Sequence, residues 1–272
     1  MTAGVAATLA RCRADGRAAL VGYLPAGFPD VETSVAAFEA MVDSGVDLVE
    51  VGLPYSDPVM DGPTIQRAAE QALASGTRTT DVLRIVETVA TSGVPTLVMT
   101  YWNPVERYGV ARFAQALHAA GSAGLITPDL IPEEAAEWHA ASDQEGLDRV
   151  YLVAPSSSDA RLATTAAACR GFVYATSIMG VTGARERTSS AAPALVSRVR
   201  EVTELPVGVG LGVSDGVQAA EVAAFADAVI VGSAFVRCLL DATDRSAGLT
   251  AVAALAADLA SGMQRSDASV SW

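Results

Sequence analysis

The chain has 272 residues, 51% of them hydrophobic, which is enough for one large core and within the size range of a single α/β barrel. Its formal net charge of -13 argues against a nucleic-acid partner, because no basic face offsets it, but leaves room for a small phosphorylated ligand held by backbone amides. Cys12, Cys169 and Cys238 lack metal-ligand spacing and read as reduced thiols of a cytosolic protein, and the two histidines, His118 and His139, each lie in a helical pattern, so neither anchors a zinc cluster or a triad.

From the N-terminus, Val5–Arg13 is predicted as an extra helix closing one end of the fold. Arg11, Arg13 and Arg17 then precede the apolar run Ala18–Leu24. Asp15 interrupts the charges and Pro25 cuts the run short, so this is a first strand rather than a secretory leader. No apolar run reaches the roughly 18 to 20 residues needed to cross a bilayer.

Short β-branched runs then alternate with Ala-rich amphipathic stretches to the end. Strands are predicted at Ala19–Tyr23, Leu48–Val51, Thr96–Thr100, Gly124–Ile126, Val150–Val153, Phe172–Thr176, Val207–Val209 and Ala228–Val231. The intervening helices are expected near Val31–Val42, Thr64–Ala74, Thr80–Thr91, Val110–Ala120, Pro132–Glu145, Asp159–Cys169, Ala192–Thr203 and Asp215–Ala224, with Asp30, Thr80, Asp159 and Asp215 as N-caps. A short helix Ala234–Leu240 and a last outer helix Leu249–Gly262 follow, and the polar tail Gln264–Trp272 is expected to be disordered. No linker divides residues 1–272, which are expected to form one domain.

Eight βα units in a row leave a closed (β/α)8 TIM barrel or an open doubly wound sheet. The turn after the first strand, Leu24–Pro29, carries no G-x-G-x-x-G, whereas glycines crowd behind the seventh and eighth strands at Gly208–Gly212 and Gly232–Ser233. Barrels often hold phosphate there, so the barrel is preferred.

The most informative residue is Glu50, a carboxylate within the apolar strand Leu48–Val51. Alternation puts Leu48, Glu50 and Gly52 on one face. A charge in such a place costs several kcal/mol unless something uses or pairs it. Glu50 cannot sensibly face apolar helices, so it is expected to point into the barrel near its C-terminal mouth. The turn-rich stretch that follows delivers Asp61 to the same end. Two acids there point to proton transfer, with a structural salt bridge as the bland alternative.

These motifs resemble the tryptophan synthase alpha chain family. The stretch from Leu48 to Gln66, LVEVGLPYSDPVMDGPTIQ, is similar to the second-strand signature almost throughout. Tyr101–Pro104, Pro128–Leu130, Leu152–Pro155, Gly180–Ala184, Gly210–Gly212 and Val231–Ser233 add matches in the right order, and the likeness runs from about Ala19 to Val236. Met60 departs, standing where a small residue is common, as does Phe28, where an acid often follows the glycine.

The resemblance implies a lyase that cleaves indole-3-glycerol phosphate by a retro-aldol reaction. Glu50 would transfer protons at indole C3 and at the side-chain hydroxyl, while Asp61 would answer the charge at the indole nitrogen. Gly183, Gly212, Gly232 and Ser233 would bind phosphate, and Tyr23, Met99, Tyr174 and Leu211 would line or support the indole pocket. Thr182 would close over the substrate and hydrogen-bond Asp61. No metal or organic cofactor is implied. Pyridoxal phosphate is expected only in a beta-chain partner, which would dock in an α2β2 complex on the loops Pro54–Pro58 and Tyr101–Pro104, where Tyr55, Tyr101 and Trp102 are either exposed aromatics of that interface or packed within the barrel. Three other readings stay open at this point. One is an indole-glycerol-phosphate synthase, disfavoured because it wants a lysine acid and every basic residue here is arginine. The others are a stand-alone lyase and a non-catalytic barrel that binds a phosphorylated metabolite.

Overall fold

A computed structural model describes residues 4–176 and 191–264. Eight parallel strands close into a barrel in sequence order, and β1 pairs with β8. They are β1 (Ala19–Pro25), β2 (Leu48–Gly52), β3 (Thr96–Met99), β4 (Gly124–Thr127), β5 (Asp148–Val153), β6 (Val173–Thr176), β7 (Val207–Gly210) and β8 (Ala228–Val231). All eight overlap the predicted apolar runs, because a strand buried on both faces is largely apolar, although β5 starts two residues earlier with the half-buried Asp148 and Arg149. The closed barrel settles the choice against an open doubly wound sheet.

Two hydrophobic layers follow from the period of two. Val49 and Val51 of β2 belong to the outer core between barrel and helices, together with Phe38 and Met41 of α2 (Val31–Asp43). Each such side chain contributes ~1.5–3 kcal/mol through burial. Leu48, Leu97, Ile126, Val150 and Phe172 fill the interior, and Val5, Leu9 and Cys12 of α1 (Val5–Ala14) plug the N-terminal end beneath them. Asp47, at that same end, accepts from both terminal guanidinium nitrogens of Arg17 at 2.7 Å and from the Leu20 N–H at 2.9 Å, tying the α1–β1 connection to the barrel floor.

The outer elements are α3 (Pro63–Ala74), α4 (Thr79–Ala90), α5 (Trp102–Tyr108), α6 (Val110–Ala119), α7 (Ala136–Glu145), α8 (Asp159–Ala168), α9 (Ala191–Arg200), α10 (Gly216–Ala223), α11 (Ser233–Leu240) and α12 (Arg245–Ser261). Asp30 and Asp215 cap α2 and α10 as predicted, accepting from Thr33 N–H and Gln218 N–H at 2.8 Å each. Two predicted caps move. Arg78 occupies the cap position of α4, with Thr80 inside the helix and Asp81 accepting from the Arg78 N–H at 3.0 Å. Ser158 caps α8, accepting from the Arg161 N–H at 3.3 Å, which leaves Asp159 in the first turn where its charge favours the helix dipole.

The stretch predicted as one helix from Pro132 divides into a 3-10 turn, Pro132–Glu134, and α7. The helix α5 was not predicted: Tyr101–Pro104 reads as a loop because of Pro104. Proline is tolerated there because first-turn N–H groups have no partner within the helix. At the C-terminus Gln264, assigned to the fraying tail, forms an antiparallel bridge with Arg17; residues 265–272 lie outside the described residues. Among the described residues no helix is long and apolar enough to cross a membrane.

Candidate active site

The C-terminal ends of the strands surround a cavity of about 280 Å³. Glu50, Met99, Tyr174 and Gly210 reach it from strand interiors or ends, Tyr23 from β1, and Asp61 from the segment between β2 and α3. Gly212, Gly232 and Ser233 complete the side formed by β7 and β8.

Glu50 is fully buried and directed inward, its register neighbours being Tyr23 on β1 and Leu97 on β3. Neither carboxyl oxygen has a hydrogen-bonding partner among the described residues. Among the described residues the salt-bridge alternative finds no arginine there, and the described ion pairs all lie elsewhere. Burial without compensation pushes the Glu50 carboxyl up to about 8.

Asp61 has a different environment. Burial raises its carboxyl as well, but Tyr101 opposes the rise by donating its hydroxyl proton to Oδ1 at 3.0 Å. The Asp61 carbonyl accepts from Gln66 Nε2 at 2.8 Å. Two carboxyls at one cavity thus meet unlike surroundings, the arrangement by which a protein separates an acid from a base. The Tyr23 phenol, enclosed at the cavity wall and facing Asp61 and Glu50, is held well above its usual range, as is Tyr174 beside Glu50.

Glycines make room for the two rings. A Cβ built on Gly52 would fall 2.4 Å from Tyr23 Oη, and one on Gly210 would fall 2.8 Å from Tyr174 Oη. Gly210, in the cluster that reads in the sequence as an anion-binding turn, thus also serves aromatic packing. Gly212, at φ +70°, is the left-handed turn that brings backbone to the cavity. Gly232 stands at the cap position of α11 without a side-chain cap, so the first-turn N–H groups of that helix face the same end as an anion-binding terminus.

Leu211 is the exception among the expected pocket residues. It lies between two cavity-facing glycines, so alternation turns it into the outer core, where it is 4% exposed. Thr182 and Gly183 lie outside the described residues. Sequence reasoning gave no site role to Leu53, Ile65, Thr100, Pro128, Thr176 and Ile230, all of which line the cavity. Thr100, Pro128 and Thr176 sit at or just past strand C-termini, and that position was the available signal. Of the three aromatics, Tyr101 follows the packing account, buried against Tyr55 with ring centroids 5.4 Å apart, while Tyr55 and Trp102 are half-buried. Met60 stands exposed at the mouth, whereas Phe28 is buried in the outer core.

Comparison with known proteins agrees with this geometry. The family model described as tryptophan synthase alpha chain matches residues 9–264. The tryptophan synthase alpha chain of Acidothermus cellulolyticus is 64% identical over 97% of this chain and 98% of its own length, and that of Salinispora arenicola is 65% identical over 93% and 95%. A solved structure of Mycobacterium tuberculosis tryptophan synthase superposes with a TM-score of 0.91 at 56% identity, covering 98% of this chain and 100% of that one. Tryptophan synthase subunit alpha from Legionella pneumophila, at 34% identity, gives 0.87 over 95% and 97%. With a closed eight-stranded barrel, an inward glutamate at its mouth and these relatives, the chain belongs to the tryptophan synthase alpha chain family.

Proposed function

We propose that Glu50 and Asp61 divide the proton transfers of a carbon–carbon bond cleavage. The chain is an aldol-type lyase of L-tryptophan biosynthesis that cleaves indole-3-glycerol phosphate to indole and glyceraldehyde 3-phosphate. The observation that carries the residue assignment is Glu50, fully buried, directed inward and without a hydrogen-bonding partner among the described residues.

Held up at about 8 by burial, Glu50 rests protonated at neutral pH and delivers its proton to indole C3. The ring then carries positive charge, centred on its nitrogen, and the Asp61 carboxylate lies at the same cavity to stabilise it. Glu50, now ionised, takes the proton of the adjacent side-chain hydroxyl. The carbon–oxygen double bond forms, the bond from C3 to the side chain breaks, and its electron pair restores the aromatic ring. Protons and electrons balance between substrate and the two carboxyls, so the step calls for no added cofactor. The phosphate sits at Gly212, Gly232 and Ser233, where a left-handed turn and the uncapped start of α11 offer N–H groups. Gly183 and Thr182 complete the site in this reading. Tyr23, Met99 and Tyr174 bound the indole, with Leu211 supporting them from the outer core.

The family works with a beta chain, which carries the pyridoxal phosphate. Docking at the mouth, on Pro54–Pro58 and Tyr101–Pro104, is supported by apolar side chains on the same rim: Val59 is 77% exposed and Met60 52%. Three free thiols fit a reducing compartment, the cytoplasm. The test is indole release from indole-3-glycerol phosphate with and without a beta chain. Release that rises on mixing is expected. No release under either condition overturns the activity, and release indifferent to mixing favours the stand-alone lyase.

A further inference from the structure

We infer that Tyr101 is a positioning residue for Asp61, fixing which carboxyl oxygen is presented to the ring nitrogen of the bound indole. This rests on the role proposed above for Asp61.

Asp61 lies in the irregular stretch between β2 and α3, where no strand pairing restrains its side chain. Two hydrogen bonds hold this position. Gln66 fixes the Asp61 carbonyl at 2.8 Å, and the Tyr101 hydroxyl donates to Oδ1 at 3.0 Å. The same hydroxyl accepts from the Met60 N–H at 3.0 Å, so one phenol gathers both the backbone before Asp61 and its carboxylate. With Oδ1 engaged by Tyr101, Oδ2 accepts no hydrogen bond among the described residues and is the oxygen offered to an N–H donor of the substrate.

Tyr101 is itself held firmly, as a positioning group must be. It is 5% exposed, and its ring packs against Tyr55. The following residue, Trp102, donates its N–H to the Asp129 carboxylate at 2.9 and 3.1 Å, anchoring the start of α5. Burial first, and the nearby Asp61 after it, keep the phenol up at about 12, so it remains a donor across the working range. Among the described residues, the other titratable group turned toward Asp61 is Tyr23 from β1, which also faces Glu50, while α3 brings the neutral Gln66.

The test is Tyr101→Phe, alone and in an Asp61→Asn background, assayed as indole release by the chain with its beta chain. Tyr101→Phe is expected to lower kcat about 10- to 100-fold, the scale for a slightly misplaced reacting group, with KM changing less. The acid limb of its pH profile moves upward, because Asp61 has lost a donor that favours its ionised form. In the Asp61→Asn background the same change should cost less than about 2-fold, since the group it positions is gone. Binding of glycerol 3-phosphate should be unchanged. Equal fractional losses in both backgrounds, an unmoved acid limb, or loss of glycerol 3-phosphate binding along with turnover would each overturn the assignment. Absence of indole release from the unsubstituted chain is a separate outcome, which sinks the proposed function instead.

Discussion

Tyr23 and Gly52 face each other across paired strands so closely that a Cβ on the glycine would lie 2.4 Å from the tyrosine hydroxyl and 2.7 Å from its ring. The ring that walls the cavity therefore occupies volume which any other residue at 52 would claim. Gly52→Ala should displace Tyr23 and destabilise the chain by about 1–3 kcal/mol, as overpacking does. Urea unfolding measures this, and indole release should fall with it. In a Tyr23→Ala background the alanine at 52 should cost much less. Additive costs would show that the two residues do not compete for space.

Glu50→Gln separates chemistry from stability in opposite directions. The Glu50 carboxyl titrates at about 8 when folded and near the ordinary 4.5 when unfolded. Below the lower value both states are protonated and the residue has no effect. As pH rises from there to about 8, the unfolded chain alone loses the proton, so folding stability declines. Above 8 the penalty is constant. Glutamine has no proton to lose, so the variant should gain on the parent chain across that window, by up to roughly 5 kcal/mol. Its turnover should drop at least ~100-fold, with glycerol 3-phosphate binding retained. Urea titrations at several pH values decide it: a stability difference that does not grow with pH contradicts the uncompensated burial of Glu50.

Gly212→Val tests the anion site. At φ +70° a β-branched side chain is strained by ~1–3 kcal/mol, and the backbone N–H groups beside it shift. Affinity for glycerol 3-phosphate, measured calorimetrically, should fall about 10-fold or more. Unchanged affinity would place the phosphate elsewhere.

Asp47→Ala probes the opposite end. It removes the acceptor of two Arg17 nitrogens and of the Leu20 N–H, leaving a buried donor unpaired. A loss of ~2–4 kcal/mol in unfolding free energy is expected, with kcat nearly unchanged where the chain stays folded. A large fall in kcat without loss of stability would mean that the barrel floor communicates with the mouth.

How legible this was depended on the range of the interaction. Strand positions were readable because barrel strands are mostly apolar, and Glu50 stood out as a charge in the middle of such a run, unlike Asp148 and Arg149, which stand half-buried at the start of β5. The caps at Arg78 and Ser158 were missed by one or two residues, since several polar side chains near a helix start compete and local geometry decides. Helix α5 was hidden by Pro104, which is allowed only because it falls in the first turn. The outward turn of Leu211 follows from strand alternation, which a residue-by-residue likeness to a family does not weigh.

The order of apolar runs determined by itself that eight parallel strands would alternate with helices, and the lone carboxylate among them marked the end where chemistry belongs. Both follow from solvation, since burial of apolar surface and the cost of burying charge are properties of the residues themselves. Only the tertiary structure decided that Tyr101 would meet Asp61, 40 positions away, and that particular glycines would make room for particular rings. Those relations depend on how the strands stagger when the barrel closes. Closure is a property of all eight strands together, and no single segment contains it.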